Sequence, residues 1–513
     1  MLASMLCTTA FAADAATNAP AEGVVLRVSA QKKDGTIDII GDYTSFEEGW
    51  DVAGHYSCDN WDKGRHGYVR SIVDFYADWH ADDEGNLTSW YESLGVVNIY
   101  DNSHMTINLN GHTIDRGLTE WQYNGEVMYV DFNADLIIND GTITGGYSCN
   151  GAGGIHINRG ANVVLNNVNV VGNTVEDDDG SAIAVYDGAT LTMNGGSISN
   201  NTLYTSEFFF GTPYGGIYLN DSSAYLNNVV FEGNKFEGFD FAYGVAIYVD
   251  DSELVAENCT FRNNGYRDPS KKIWTPNSIV TIDGGSMTLN NCLFEENGKG
   301  SSTGPDVISV FGGATVEINN SKFLNNVNDS IIFGVNGSIE VSDCHFEGNT
   351  GCIYYGRKNG DAIFKGCNFV GGPTKTGTKS FYLEKNSNVE LDTCELGGST
   401  YNDESRVTFV NCGNEDAKRY GSIFGEGSFV VVISILALVA SIASLALVLA
   451  PKFANGGILT LTAKESDEDS DETSETSNEE VVAEEETSEE AVEESAPEKV
   501  AEEAPAAPET TEE

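Results

Sequence analysis

A nine-residue phrase recurs down the middle of this chain, and the spacing of its copies constrains the fold more than any other feature. It reads Leu-Asn-Asn-Val-Val-Phe-Glu-Gly-Asn ending at Asn234, Ala-Glu-Asn-Cys-Thr-Phe-Arg-Asn-Asn ending at Asn264, and Leu-Asn-Asn-Cys-Leu-Phe-Glu-Glu-Asn ending at Asn297. The frame returns with Phe323 and Asn326 and with Phe346 and Asn349. Degenerate copies carry Val170 and Asn173, Ile198 and Asn201, Phe369 and Gly372, and Leu396 and Ser399. The position two before the Phe gives a register mark: His112, Gly141, Val168, Gly196, Val229, Cys259, Cys292, Ser321, Cys344, Cys367 and Cys394. Successive marks are 23 to 33 residues apart. That is too variable for helical-hairpin repeats and suits a solenoid whose corners absorb insertions.

Period-two stretches flank each phrase, such as Ile217 and Leu219 before one and Ala224 and Leu226 within it. They mark short strands with one buried face, and Gly, Asn and Asp stand at the corners between them. Three short strands per turn, with no room for a covering helix, describe an all-β fold: a right-handed parallel β-helix of about eleven coils. At the strand spacing of about 4.8 Å the stack makes a rod on the order of 50 Å long. Phe and Ile columns fill its bore, and a column of Asn at one corner passes amide hydrogen bonds from coil to coil.

The Phe-x-x-Asn tetrads at Phe231, Phe261, Phe294, Phe323 and Phe346, with Gly-Gly-Ile at Gly153 and Gly215, resemble the two short motifs of the polymorphic membrane protein repeat. The wider resemblance, over roughly residues 100 to 412, is to pectate-lyase-like β-helices. The first resemblance implies an adhesin, although that family reaches the surface through a C-terminal β-barrel. This sequence instead carries Phe429 to Ala450, 22 residues without a charge. As a helix these would span about 33 Å, enough for a bilayer core.

Met1 to Ala12 reads as an apolar signal segment closing on Ala10-Phe11-Ala12, without the usual positive start. An exported N-terminus and one stop-transfer helix predict an extracellular β-helix and a cytoplasmic tail. The expected organisation is a signal peptide at 1–12, a leader and capping region at 13–100 and the β-helix at 101–412. A juxtamembrane linker at 413–428, a transmembrane helix at 429–450 and an acidic tail at 451–513 complete it. The tail holds 22 acidic residues against three Lys, and no aromatic follows Phe453. Such a composition cannot bury enough surface to fold and is expected to be disordered, with an unidentified cytoplasmic partner. The whole chain carries a net charge of −52, of which −33 falls before the tail. A surface this acidic would repel nucleic acid.

Cys259, Cys292, Cys344, Cys367 and Cys394 share one inward column with Ser321 and take the place that Val168 and Val229 hold in earlier coils. They are expected to be packed thiols. Ahead of the coils, Phe46 to Ala53 is expected to open a capping helix, followed by a strand over Arg70–Tyr76. Trp50, Trp61, Trp79 and Trp90 are read as cap packing. Solenoids need such a cover on their first unpaired strand edges. Asp78 to Asp83, with Ile107 to Asp115 downstream, resembles the opening region of bacterial surface β-helix proteins.

Metalloprotease, phosphate-loop and dinucleotide motifs are missing from the sequence. The Asn-Thr-Asp, Gly-His-Gly and Arg-Ile-Lys motifs of polygalacturonase-like enzymes are missing too. The nearest approach to a catalytic constellation is the carboxylate run Asp177, Asp178, Asp179, which would suit glycoside hydrolysis or hold Ca²⁺ for a lyase. No other cofactor is indicated.

Aromatics concentrate instead in three insertions after the Asn corner. Thr202 to Tyr214 carries Tyr204, Phe208, Phe209, Phe210 and Tyr214; Lys235 to Tyr243 carries Phe236, Phe239, Phe241 and Tyr243; Gly265 to Pro276 carries Tyr266 and Trp274. Equal register places them on one edge beside Asp177, as a patch for an extracellular glycan or a host or neighbour-cell surface protein. The alternative is a satellite core folded back on the coils. The functional expectation is a membrane-anchored adhesin or binding module; the alternatives are a polysaccharide lyase or glycoside hydrolase, or a stalk with no ligand.

Overall fold

The computed structural model describes residues 20–57, 68–80, 97–206, 213–238, 242–265, 278–300 and 304–412. The expected signal segment, the apolar span Phe429–Ala450 and the acidic tail lie outside these residues. So do Phe208, Phe209, Phe210, Phe239, Phe241, Tyr266, Trp274, Trp61 and Trp90. Among the described residues no helix is long and apolar enough to cross a membrane.

One turn of chain illustrates the construction rule. Ile217–Asn220, Ser223–Asn227, Val230–Glu232 and Lys235–Glu237 are short strands. Within them Ile217, Leu219, Ala224, Leu226, Phe231 and Phe236 point inward and are buried. The next turn pairs with this one in parallel, with Ile217 opposite Ile247, Ala224 opposite Leu254, Leu226 opposite Ala256 and Phe231 opposite Phe261. Small side chains meet large ones, which keeps the bore filled at close-packed density. The corners fall at Asp221 (φ 45°), Asn228 (φ 56°) and Gly233 (φ 68°). Asn and Asp tolerate this left-handed conformation because their short polar side chains bond locally, so the repeat spends them there.

Among the described residues the strands form sheets of 24, 11 and 4 strands. The eleven-stranded sheet runs from Val97–Ile99 to Phe381–Leu383, with parallel neighbours throughout. The four-stranded sheet joins Tyr147–Ser148, Thr174–Glu176, Thr202–Tyr204 and Lys235–Glu237. These coils therefore carry one strand more than the three expected. The reason is local: the chain after the Asn corner is long enough there to pair with its neighbour before crossing to the next sheet.

The expected columns are present. Phe231, Phe261, Phe294, Phe323 and Phe346 stack with ring centroids 4.5–4.9 Å apart and interplanar angles of 2–8°. Asn173, Asn201, Asn234, Asn264, Asn297, Asn326 and Asn349 form a buried amide ladder. Cys259, Cys292, Cys344, Cys367 and Cys394 are buried free thiols at one register. His112 departs from that column. Its imidazole reaches Asp78 at 3.3 Å, because a polar ring is better satisfied at the corner than in the bore.

The N-terminal segment reverses strand polarity. Strands β1 (Leu26–Lys32), β2 (Ile37–Tyr43) and β3 (Tyr68–Phe75) pair antiparallel, and β3 then pairs parallel with His104–Asn108. Helix α1 (Phe46–Ser57) packs on this sheet. Ser45 caps it by accepting a hydrogen bond from the Glu48 amide at 3.2 Å. Trp50 and Trp79 are buried there, and Phe46 stacks on Trp79 at 5.1 Å. One continuous hydrophobic cluster extends from Leu26 in this segment to Cys412.

Candidate functional site

Strand alternation sends Ile155, Ile183, Ile217 and Ile247 into the bore, so the residue after each faces outward. Read along the eleven-stranded sheet, the outward register is Tyr129, His156, Ala184, Tyr218, Tyr248, Thr281, Ser309, Phe333, Tyr355 and Tyr382. Two residues further along the strands a second row carries Tyr186, Asn220, Asp250, Asp283 and Phe311. Where the first row turns small, at Ala184 and Ser309, the second supplies Tyr186 and Phe311 on the same strands.

The result is a continuous ladder of rings. Tyr129 to His156 and His156 to Tyr186 are 5.0 Å each between centroids, Tyr186 to Tyr218 is 5.8 Å, and Tyr218 to Tyr248 is 6.0 Å. Tyr214 lies against Tyr248 at 4.2 Å and passes the ladder to Tyr243 at 6.4 Å, which meets Phe311 at 6.0 Å. Phe311 to Phe333 is 5.7 Å, Phe333 to Tyr355 is 5.2 Å, and Tyr355 to Tyr382 is 5.0 Å. Tyr218 and Tyr248 are mostly covered, at 8% and 7% exposure, whereas Tyr382 stands 44% exposed.

This arrangement revises the expected aromatic patch. Tyr214 and Tyr243 do lie on the outer surface, but as members of the ladder, packed beside Tyr186, Tyr218 and Tyr248. Phe236 is corrected: it is fully buried with Val175, Leu203, Ala242 and Val245 in a satellite core, because its strand alternates it inward. Tyr204 sits half-buried on the four-stranded sheet, in register with Glu176 and Glu237. The remaining seven aromatics of the three insertions lie outside the described residues. The ladder residues escaped the sequence reading because most stand singly between inward residues of a short strand, as Tyr218 does in Ile-x-Leu and Tyr248 in Ile-x-Val. The signal was the recurrence of Tyr or His at that letter.

Beside the ladder lies the carboxylate corner. The Asp177 carboxylate accepts hydrogen bonds from the Ser206 amide and hydroxyl at 2.8 and 2.6 Å, which ties the acidic turn to the Thr202–Tyr214 insertion. Asp178 accepts from the Gly151 amide at 2.9 Å, and Asp179 from the Tyr214 amide at 2.8 Å. Burial, with the neighbouring Asp178 charge, pushes the Asp179 carboxyl up to about 8. Burial does the same to Glu126, also to about 8, partly offset by hydrogen bonding and by the Arg116 charge. Burial also raises Asp178 above the usual carboxylate range. Among the described residues no group of three or more His, Cys, Asp or Glu side chains is placed to hold a metal ion.

His156 connects the corner to the ladder. Its ring lies between Tyr129 and Tyr186, burial pushes its pKa down to about 4, and its buried Nδ1 has no hydrogen-bond partner among the described residues. Gly151 makes that position possible: its φ is +80°, and a Cβ there would fall 2.2 Å from His156 Nδ1.

Residues 95–302 match the family model described as a right handed beta helix region. No curated protein and no solved structure matches the chain. Together with the parallel pairing of the described strands, that match supports a right-handed parallel β-helix over this part of the chain.

Proposed function

We propose that this β-helix is the displayed part of a single-pass cell-surface protein and that its activity is recognition, with the ring ladder of the eleven-stranded sheet as the contact surface. The observation that carries this reading is the continuity of the ring contacts from Tyr129 to Tyr382, which switch between two outward rows and pass through Tyr214 and Tyr243. A solenoid needs its inward columns for stability, and rings on the outside add a surface suited to a partner. In this reading Phe429–Ala450 anchors the rod in the cell membrane, the β-helix is extracellular, and the acidic tail faces cytoplasmic partners. The ligand is an extracellular glycan or a surface protein of a host or neighbouring cell. Screening full-length protein in detergent on a glycan array and against surface-protein extracts tests it. Binding lost in Tyr355→Ala and Tyr382→Ala, with the melting temperature held, supports recognition by the ladder; binding indifferent to both rejects it.

A polysaccharide lyase or glycoside hydrolase is the second reading. It draws on Asp178, Asp179 and Glu126, carboxyls held above their usual range beside the ladder, as a general acid requires. Against it, Asp177, Asp178 and Asp179 each spend oxygens on backbone amides that hold neighbouring coils together. Depolymerisation of a polysaccharide by the wild type, abolished in Asp178→Asn, would select this second reading.

A further inference from the structure

Resting on the reading of the ladder as a contact surface, we propose that its ligand is an uncharged polysaccharide lying parallel to the rod axis. Direction follows from the geometry. Neighbouring strands present rings at matching positions, so an extended chain running along the axis meets ring after ring. A chain crossing the rod follows a single strand, and the longest strands of this sheet are six residues, with half of their side chains inward. A ligand with a repeating flat face can use the uncovered rings of successive strands, as at Phe333, Tyr355 and Tyr382, and the apolar faces of successive sugar rings supply one.

Charge decides the class. The second row that borders the rings carries Asp250 and Asp283. Near the far end Glu384 accepts a hydrogen bond from the Tyr355 hydroxyl at 2.7 Å. Arg357, a cation at the end of the Tyr355 strand, is engaged by Glu384 at 3.3 Å. A polyuronate, a sulfated glycan or a nucleic acid would meet repulsion along this row. Carboxylates beside a stacking surface are instead good acceptors for sugar hydroxyls, since hydrogen bonds to a charged acceptor are stronger than neutral ones.

Full-length protein in detergent, titrated calorimetrically with neutral oligosaccharides from dimer to hexamer, tests this. The panel covers β-1,4-glucan, xylan, mannan and β-1,3-glucan oligomers, with polygalacturonate and chitosan as the charged probes. At least one neutral series should bind, tighter with each added unit and indifferent to salt, while polygalacturonate does not bind. Tyr382→Ala with Tyr355→Ala should weaken the hexamer about tenfold and the dimer less, whereas Tyr355→Phe keeps binding because the ring face makes the contact. Affinity that does not grow with chain length overturns the axial orientation. Tight binding of polygalacturonate, or salt-sensitive binding of chitosan alone, overturns the uncharged class. A surface protein captured through the ladder with no neutral glycan bound rejects this inference and leaves the recognition reading standing. Indifference of every ligand to the ladder variants rejects both.

Discussion

Asn234 donates through Nδ2 to Asn264 Oδ1 at 2.9 Å, and the Asn234 backbone amide donates to the same oxygen at 3.1 Å. A single side-chain oxygen thus satisfies two buried donors of the coil before it, and the pattern repeats from Asn173 to Asn349. Each Nδ2 also reaches a backbone carbonyl of the preceding coil, as Asn264 does to Phe231 O at 2.9 Å. The ladder is a corner brace built from an amide's two donors and one acceptor.

Asn264→Leu should therefore destabilise by about 2–4 kcal/mol, since it strands the Asn234 amide and the Phe231 carbonyl away from water. An exposed Asn such as Asn228, changed to Gly, should cost well under half as much because its left-handed φ is kept. Urea denaturation of the two variants checks the ranking. Equal losses would show that the brace adds nothing beyond the corner geometry.

The Cys column behaves as packing. Hydrogen bonding with the Cys344 thiol, partly offset by that with Cys394, combines with burial to push the Cys367 thiol up to about 12, and burial raises Cys352 as well. Protonated, enclosed thiols are poor nucleophiles. Alkylation of native protein at neutral pH should leave the column thiols unlabelled, and denaturant should expose them all. Cys367→Ala should cost about 1–2 kcal/mol through a small cavity. A bridge between Cys367 and Cys394 in non-reducing mass mapping would contradict this account.

Stability should fall with pH across the neutral range. Glu126, ordinarily 4.5, and Asp179, ordinarily 3.8, both stand at about 8 in the folded protein. Folding then retains protons that the unfolded chain has released, so stability present at low pH is lost as pH rises through 8. His156, lowered from 6.5 to about 4, acts in the opposite sense, and its contribution is complete by pH 6.5. Between about pH 6.5 and 8 the carboxyls act without it, for on the order of 1–2 kcal/mol each. Glu126→Gln and Asp179→Asn should flatten the fall in melting temperature over that window. A profile unchanged in both variants would place the titration elsewhere.

Topology is the remaining test. With the β-helix outside and the tail inside, protease added to intact cells should remove the rod and spare an epitope inserted after Lys464. Loss of that epitope without lysis would reverse the proposed orientation.

The repeat phrase alone determined the solenoid, its inward Phe, Asn and Cys columns and the Asn and Asp corners. Each of these follows from period-two alternation and from stacking equal positions, both of which are local or periodic properties. Helix α1 was expected to open over Phe46 to Ala53 and runs from Phe46 to Ser57, with the Ser45 cap seen only in the structure. The ring ladder was not legible. Whether Tyr218 meets Tyr248, and whether Tyr186 and Phe311 fill the places left by Ala184 and Ser309, depends on the register between strands that are about thirty residues apart. The burial of Phe236 depends likewise on a fourth strand that forms only when its neighbour coil is beside it. Sequence sets which way each side chain faces within its own strand; only the stacked coils decide which outward side chains become neighbours.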